Sequence, residues 1–255
     1  MKNRLSLCCI SALCGAALGL APMEGSAQTS VTKPASKAIP RTPEGKPDFG
    51  GFFNVQYTPN MAMGKEDSIP YTALGKAAYL KHDAKDDPTS NCWFPGVPRI
   101  MQSPYPAQFV QTPSQLVILF EYMHTFRSIP LNGRPHPTNM EPAFMGDSTG
   151  HWEGDTIVVD TTGLKGPPWT WLDTAGHQHS DQLHVIERFR RTAESIEYEY
   201  TVDDPQMYAK PWTLQRLYTP LKLAPALPEL IEYSCSENNR DVRHLVTTQP
   251  ALPNQ

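Results

Sequence analysis

The stretch HVIERFRRTAESIEYEYTVDD, residues 184–204, decides the fold because two alternating runs flank a short polar loop. If Thr192–Ser195 form a four-residue loop, Arg191 pairs with Ile196 and the register of an antiparallel hairpin follows. Opposite charges then face each other on one side of the hairpin, which is typical of a solvent-exposed surface. These pairs are Arg190 with Glu197, and Arg188 with Glu199.

The other side of this hairpin is predicted to face a core, and similar short runs continue on both sides of it. From Ala107 onward, alternating runs recur at hairpin spacing between turn signals, which indicates an antiparallel meander. Such a sheet usually closes or packs face to face, because open edges invite aggregation. We therefore expect a mainly β protein with a lipocalin-like barrel, or alternatively a β-sandwich. The predicted strands are QFVQT, QLVILFEY, TFRSIPL, HW, TIVVDTT, LHVIERFRR, SIEYEYTV, TLQRLY and LIEYSC.

Helices are expected to be scarce. The chain has 26 prolines in 255 residues, and proline breaks helices. Residues 71–82, YTALGKAAYLKH, give the one convincing helical pattern, despite Gly75. Residues 28–48 are polar and proline-rich, and are predicted to be an arm or linker before a single domain at 49–255.

The amino terminus is typical of an export signal. Lys2 and Arg4 precede an apolar run, and Gly25-Ser26-Ala27 offers a cleavage site, so residues 1–27 are predicted to be a signal peptide. A periplasmic or secreted location follows. Of the five cysteines, Cys92 and Cys235 would remain after cleavage, and they are expected to pair in an oxidising compartment. The alternative is two inert buried thiols.

Charge and composition exclude several partners. The net charge of −4 becomes about −5 when Lys2, Arg4 and Glu24 are removed, which argues against nucleic acid and anionic membrane surfaces. No later segment approaches the roughly 18 apolar residues that membrane insertion needs. The sequence also lacks a P-loop, a dinucleotide fingerprint and a haem-attachment motif. A small-molecule ligand or substrate remains the expected partner, and no pattern specifies an oligomeric state.

Glu187 is the most informative polar residue, since alternation turns it inward. A carboxylate among tyrosines and valines is costly unless it is paired or protonated, and burial raises its pKa toward the range useful for proton transfer. The alternative is a scaffolding ion pair, with Arg127 of HTFRSIPL as the partner. Arg127 or Arg134 could equally hold an enolate or carboxylate oxygen.

The histidines are unevenly spread along the chain. His177 and His179 have the His-x-His spacing of metal sites, and His184 could complete such a site if the loop folds back. The alternative is an ordinary polar loop. His136, in the loop NGRPHP with Arg134, is a further candidate for acid–base chemistry together with His184.

Aromatic side chains around these loops and on the inward face suit an apolar or aromatic ligand. The alternative is that they pack under long loops. The candidates for substrate binding are Trp152, Trp171, Phe189, Tyr198 and Tyr200.

The stretch GDSTGHWEGD, residues 146–155, permits two interpretations. Gly-Asp-Ser opens the nucleophile block of one class of secreted esterases, and DVRH, Asp241–His244, matches a second block, but the middle block and alternating helices are missing. We favour a turn around Ser148 and a tight hairpin at Gly154-Asp155, which places Trp152 opposite Ile157.

Several runs together resemble a family of exported proteins from environmental bacteria. They are RTPEGKPDFGG, DPTSNCWFPGVPR, GDSTGHWEGDTIVVDTTG, HSDQLHVIERFRR, DDPQMYAKPW and EYSCSENNRD, and they cover most of the mature chain. The resemblance implies export but transfers no activity and no catalytic residues.

The sequence thus predicts an exported enzyme that uses acid–base chemistry on a small oxygenated or aromatic molecule, by elimination, isomerisation or hydrolysis. Its candidate catalytic residues are Arg127, Arg134, His136, His184 and Glu187, with either no cofactor or a single divalent metal. A lipocalin-like carrier or sensor of an apolar ligand is the main alternative, and a serine esterase a minor one.

Overall fold

The computed structural model describes residues 37–223, 225 and 229–235. In this part the protein is mainly β, with nine antiparallel strands in one sheet that curls into a nearly closed barrel, as predicted. The signal peptide predicted at residues 1–27 and the Asp241–His244 motif lie outside the described residues. Among those described, no helix combines the length and apolar composition needed to cross a bilayer.

The nine strands follow one another around the barrel, with the first strand inserted between the second and the last. The order in the sheet is β4-β3-β2-β1-β9-β8-β7-β6-β5. The strands are β1 Gly51–Val55, β2 Ala107–Gln111, β3 Gln115–Phe120, β4 Thr125–Pro130, β5 Asp147–Glu153, β6 Thr156–Thr162, β7 His184–Arg191, β8 Ile196–Asp203 and β9 Trp212–Pro220.

Two strand assignments differ from the sequence prediction. The pattern did not predict β1, GFFNV, which pairs with β2 on one side and with the end of β9 on the other. The run LIEYSC was predicted to be a strand, but residues 231–235 have no strand conformation. This segment is tied to the domain by a disulfide bond instead of a ladder: Cys92 and Cys235 are bonded, with their Cα atoms 5.6 Å apart. The predicted cysteine pairing is therefore confirmed.

The two hairpins predicted from alternation have the predicted register. Arg191 faces Ile196, and the charged pairs of β7 and β8 face each other on the outer surface. Trp152 faces Ile157 across the hairpin of β5 and β6. The turn prediction around Ser148 is wrong, because Gly146 makes the turn, with φ at +62°, and Ser148 already lies in β5.

Strands β4 and β5 meet at a seam without a ladder. All eight ladders in the sheet join antiparallel neighbours. An odd number of strands cannot alternate in direction around a closed ring, so β4 and β5 run the same way. Parallel neighbours need a crossover connection of about a dozen residues or more. Residues 131–146 provide it, and the Gly133 amide donates to the carbonyl of Gly150 at 2.8 Å.

The helix α1, Ala73–Lys81, lies in the long connection between β1 and β2 and is slightly shorter than the predicted 71–82. Thr72 caps it by accepting a hydrogen bond from the amide of Gly75 at 3.0 Å. Gly75 is required by packing, because a Cβ there would lie 2.0 Å from the carbonyl oxygen of Met207. The glycine thus lets the helix backbone approach the loop between β8 and β9.

Residues 37–48, the described part of the predicted arm, lie on the domain. The segment folds into a turn, in which the Asp48 amide donates to the Pro40 carbonyl at 2.9 Å. Arg41 forms an ion pair with Asp155 in the β5–β6 turn, and Lys46 lies 5.0 Å from the ring centre of Trp152. These contacts cover one end of the barrel.

Large side chains fill the barrel interior. Phe189 and three tyrosines pack with rings 4.9–5.9 Å apart between centroids, and each is at most 1% exposed. The inward face predicted for β7 and β8 is therefore confirmed as core. The three tyrosines are Tyr198, Tyr200 and Tyr218.

These tyrosines, together with Tyr208, are expected to make stability fall at alkaline pH. Burial is the largest cause and raises the pKa of all four phenols above the ordinary value of 10.0. The folded state therefore holds protons that the unfolded state releases. The contribution of the four tyrosines to the free energy of unfolding is complete below pH 10 and is lost as the pH rises above it. Each should lower the free energy of unfolding by about 1.4 kcal/mol per pH unit there.

Ultraviolet titration of tyrosinate, run beside denaturant unfolding at each pH, checks this expectation. Buried phenols should ionise only as the protein unfolds. Ionisation of all ten tyrosines near pH 10 in a protein that stays folded would contradict it.

Candidate functional site

Glu187 and Arg127 form a buried ion pair inside the barrel. Nη1 and Nη2 of Arg127 donate to the two carboxylate oxygens of Glu187 at 2.9 and 2.6 Å, and Tyr198 donates to Oε1 at 2.8 Å. Arg127 Nη2 also donates to the hydroxyls of Ser148 at 3.0 Å and Thr161 at 3.2 Å. Glu187 is 0% exposed and Arg127 is 2% exposed.

The carboxylate of Glu187 favours the charged form of Arg127. Burial is the largest influence on the pKa of Arg127 and acts to lower it, but the carboxylate of Glu187 outweighs burial and raises the pKa above its ordinary value. Among the described residues, the hydrogen-bond partners of Glu187 are Arg127, Thr161 and Tyr198, and none is a histidine. These contacts are those of the scaffolding alternative, and a catalytic role for Glu187 stays a prediction.

Ser148 also belongs to this inner cluster. Its hydroxyl contacts Arg127 and lies 3.0 Å from the hydroxyl of Thr161, and the residue is 7% exposed. A nucleophilic serine needs a base within hydrogen-bonding distance, and a strained strand-to-helix turn in the α/β esterases. In the described structure Ser148 contacts a cation and a hydroxyl from within a strand, so its geometry gives the esterase alternative no support.

A second polar cluster lies on the outer face of the same wall. His136 Nδ1 is 2.7 Å from Asp147 Oδ2, and His136 Nε2 is 3.1 Å from Asp160 Oδ1. His184 Nε2 is 2.7 Å from the same Asp160 oxygen. Arg134 binds both oxygens of Asp147, at 2.5 and 3.0 Å. We call these five residues the outer cluster.

Strand alternation and the crossover bring the outer cluster together. Ser148, Thr161 and Glu187 point inward, so Asp147, Asp160 and His184, at positions of opposite parity on β5, β6 and β7, point outward. Arg134 and His136 come from residues 131–146, which return along the outside of the seam. Three of the five predicted catalytic residues therefore meet outside the barrel, and the other two pair inside it.

The outer cluster is partly open to solvent and tightly paired. The side chains of His136, His184 and Asp160 are 24%, 33% and 43% exposed. Burial is the largest influence on the pKa of Asp147 and acts to raise it, but hydrogen bonds from Arg134 and His136 outweigh burial and hold the pKa below its ordinary value. The cluster therefore offers two accessible imidazoles beside a fixed carboxylate.

A pocket at the seam adjoins both clusters. It has a volume of about 290 Å³ and is lined by Arg127 and Ser148 of the inner cluster and by Arg134 and Asp147 of the outer cluster. Phe126, which is 63% exposed, also lines it. Arg127 Nε has no hydrogen-bond partner in the described part of the chain. We call this space the seam pocket; it places both predicted arginines beside one small cavity.

The three histidines predicted to bind a metal have separate partners. His177 Nδ1 is 2.6 Å from Asp173 in a buried pair, and its ring stacks on Tyr79 with centroids 4.8 Å apart. His184 belongs to the outer cluster. In the part of the chain described, no three His, Cys, Asp or Glu side chains are placed so that they could hold a metal ion. Metal binding by the predicted set stays a prediction.

His179 is buried and has both ring nitrogens engaged. Nδ1 is 2.8 Å from the Ser180 carbonyl, and Nε2 is 2.6 Å from the Thr170 hydroxyl. Burial, the largest cause, lowers the pKa of His179. Nδ1 donates to the Ser180 carbonyl, and the Thr170 hydroxyl that contacts Nε2 donates to the Lys165 carbonyl.

The predicted substrate-binding aromatics are mostly core residues. Phe189, Tyr198 and Tyr200 lie in the packed interior, and Trp171 is 5% exposed beside His82. Trp152 is partly buried and lines a cavity of about 490 Å³ beneath residues 37–48. Their contacts fit the packing alternative better than ligand binding, which remains a prediction.

Sequence reasoning missed Asp147 and Asp160. Asp160 lies on a predicted strand, and its parity could have been read from the hairpin that faces Trp152 with Ile157. Asp147 lies in the stretch that was predicted to be a turn, so its parity could not. The approach of His136 to Asp160 could not be read this way, because it depends on the path of the crossover.

A comparison of the chain with protein-family models and with curated proteins finds no match. The function is therefore inferred from geometry.

Proposed function

We propose that the protein is an exported enzyme that transfers protons to or from a small oxygenated molecule at the outer cluster, beside the seam pocket. One observation carries the proposal: two partly exposed imidazoles, His136 and His184, lie within 3.1 Å of a single carboxylate oxygen of Asp160. Imidazoles held by carboxylates are the usual parts of general acid–base sites.

The residues around the cluster have distinct roles in this proposal. His136, Asp160 and His184 form the group that handles the proton. Asp147 acts as a positioning residue, because it holds His136 through Nδ1, and Arg134 in turn fixes Asp147. Arg134, which is one-third exposed, also offers positive charge to an oxygen anion formed in the reaction.

The seam pocket, lined by Arg134 and Asp147 of the outer cluster, has room for a small molecule beside the imidazoles. Since a water molecule occupies about 30 Å³, a volume of about 290 Å³ corresponds to roughly ten waters, and so to a substrate of about that many heavy atoms. Elimination, isomerisation and hydrolysis all use a proton-handling group beside a stabilised oxygen anion, so the reaction class stays open among these three.

Two further points support this assignment over its alternatives. A carrier of apolar ligands needs an open interior, whereas Tyr198, Tyr200 and Phe189 pack against one another inside this barrel. The Cys92–Cys235 bond supports export, because such bonds persist in oxidising compartments.

The test uses the chain from residue 28 onward and a library of small oxygenated and aromatic compounds, with consumption followed by mass spectrometry. Replacement of His184 or His136 by glutamine is expected to lower the rate on any consumed compound by about 10²–10⁴-fold. The matched control is His151→Gln, because His151 also lies on the outer face of β5 and its side-chain hydrogen bond among the described residues is to Glu153. Equal rates for His184→Gln, His151→Gln and the unchanged protein would refute the proposal.

A further inference from the structure

Two imidazole nitrogens converge on one carboxylate oxygen of Asp160. His184 Nε2 lies 2.7 Å and His136 Nε2 lies 3.1 Å from Asp160 Oδ1. Histidine nitrogens and a carboxylate oxygen are ligands that zinc accepts in proteins.

The surroundings of His136 have the pattern that metal-binding histidines show. In such a histidine the N–H of the second ring nitrogen commonly donates a hydrogen bond to a carboxylate, which fixes the ring and makes it a better ligand. Asp147 lies 2.7 Å from Nδ1 of His136, and Arg134 holds that carboxylate with two hydrogen bonds. The supporting contacts of a metal ligand are thus in place around His136.

The geometry needs only a small adjustment to admit an ion. Ligand atoms about 2.1 Å from a tetrahedral ion are about 3.4 Å from each other. The Nε2 atoms of His184 and His136 lie 2.7 and 3.1 Å from Asp160 Oδ1. Widening these distances by about 0.3–0.7 Å would make room for the ion, which is within reach of partly exposed side chains.

We infer that His136, Asp160 and His184 bind one divalent cation of the zinc class. Two imidazoles and one carboxylate favour zinc over calcium or magnesium, which prefer oxygen ligands. Three protein ligands leave the fourth position to water, and zinc lowers the pKa of a bound water toward 7. The inference rests on the proposed function and deepens it, because His136, Asp160 and His184 would then act on the proton through a metal-bound water and not as free imidazoles.

The experiment measures zinc binding by tag-free protein, by isothermal titration and by elemental analysis after dialysis. We expect one zinc per chain and a rise in melting temperature that a chelator reverses. His136→Gln and His184→Gln should each weaken binding at least about 100-fold, and Asp147→Asn about 10–100-fold because the supporting carboxylate is lost. His151→Gln should bind zinc like the unchanged protein.

Absence of stoichiometric zinc binding, or equal weakening by His151→Gln, would overturn the inference. The outcome is separable from that of the proposed function. Zinc binding that depends on His184, in a protein whose turnover does not, would leave the site standing and refute the function. Turnover that depends on His184 but survives complete removal of metal would support the proposed function and overturn the metal site.

Discussion

Replacement of Glu187 by glutamine is expected to lower the free energy of unfolding by about 3–5 kcal/mol. Glu187 accepts two hydrogen bonds from Arg127 and one from Tyr198, and both members of the ion pair are almost fully buried. A neutral amide would leave the guanidinium charge of Arg127 in the core without a counter-ion. Urea denaturation of the variant and the unchanged protein measures the difference.

The outer face of the same hairpin provides the control. Glu197→Gln breaks the ion pair with Arg190, but the two side chains are 44% and 58% exposed, so the expected loss is below about 1 kcal/mol. A double variant, Arg127→Met with Glu187→Leu, removes both charges and should recover most of the stability lost by Glu187→Gln. Equal small losses for Glu187→Gln and Glu197→Gln would contradict a scaffolding role for the buried pair.

Loss of the Cys92–Cys235 bond is expected to destabilise the protein by about 4–5 kcal/mol. The cysteines are 143 residues apart in sequence, and a cross-link across so long a loop strongly restricts the unfolded chain. The measurement compares guanidinium unfolding of the chain from residue 28 onward with and without a phosphine reductant. The double variant Cys92→Ala, Cys235→Ala should be as unstable as the reduced protein.

Reductant should not change the stability of this double variant, which separates the bond from other effects of the reagent. A reduced protein whose unfolding midpoint equals that of the oxidised protein would show that the bond contributes nothing to stability.

The sequence predicted the barrel best where strands are neighbours in the chain. The register of β7 and β8 could be derived because alternation and opposite charges agree with one loop length, and the observed pairs match. The same local signals placed Glu187 inside and suggested Arg127 as its partner, and the two are paired. Here the local pattern and the tertiary packing impose the same constraint.

Prediction was wrong where pairing depends on distant residues. The run GFFNV does not alternate clearly, and it is a strand because β2 and β9 flank it. LIEYSC does alternate, yet its described residues pair with no strand. The Cys92–Cys235 bond, a hydrogen bond from the Ile231 amide to Glu121 and the ring contacts of Tyr233 join it to the domain. Alternation reports which side chains could share a face, but it does not report whether a partner strand is available.

The candidate site was predictable residue by residue, but not as an assembly. His136, His184 and Arg134 were chosen for their chemistry, and the structure places them together around Asp160 and Asp147. The His-x-His spacing of His177 and His179 pointed elsewhere, because spacing along a loop does not fix which way each ring turns.

The position of β1 between β2 and β9 has a consequence for the order of assembly. Residues 53–55 are made early, whereas their partners at 218–220 are among the last residues of the sheet to be synthesised. Joining such distant segments costs chain entropy, and proteins rich in distant contacts fold slowly. The edge of β1 that pairs with β9 therefore stays unpaired until residues 218–220 have been synthesised. In a chain that emerges amino terminus first, the β1–β9 ladder would form only after residues 218–220 have emerged.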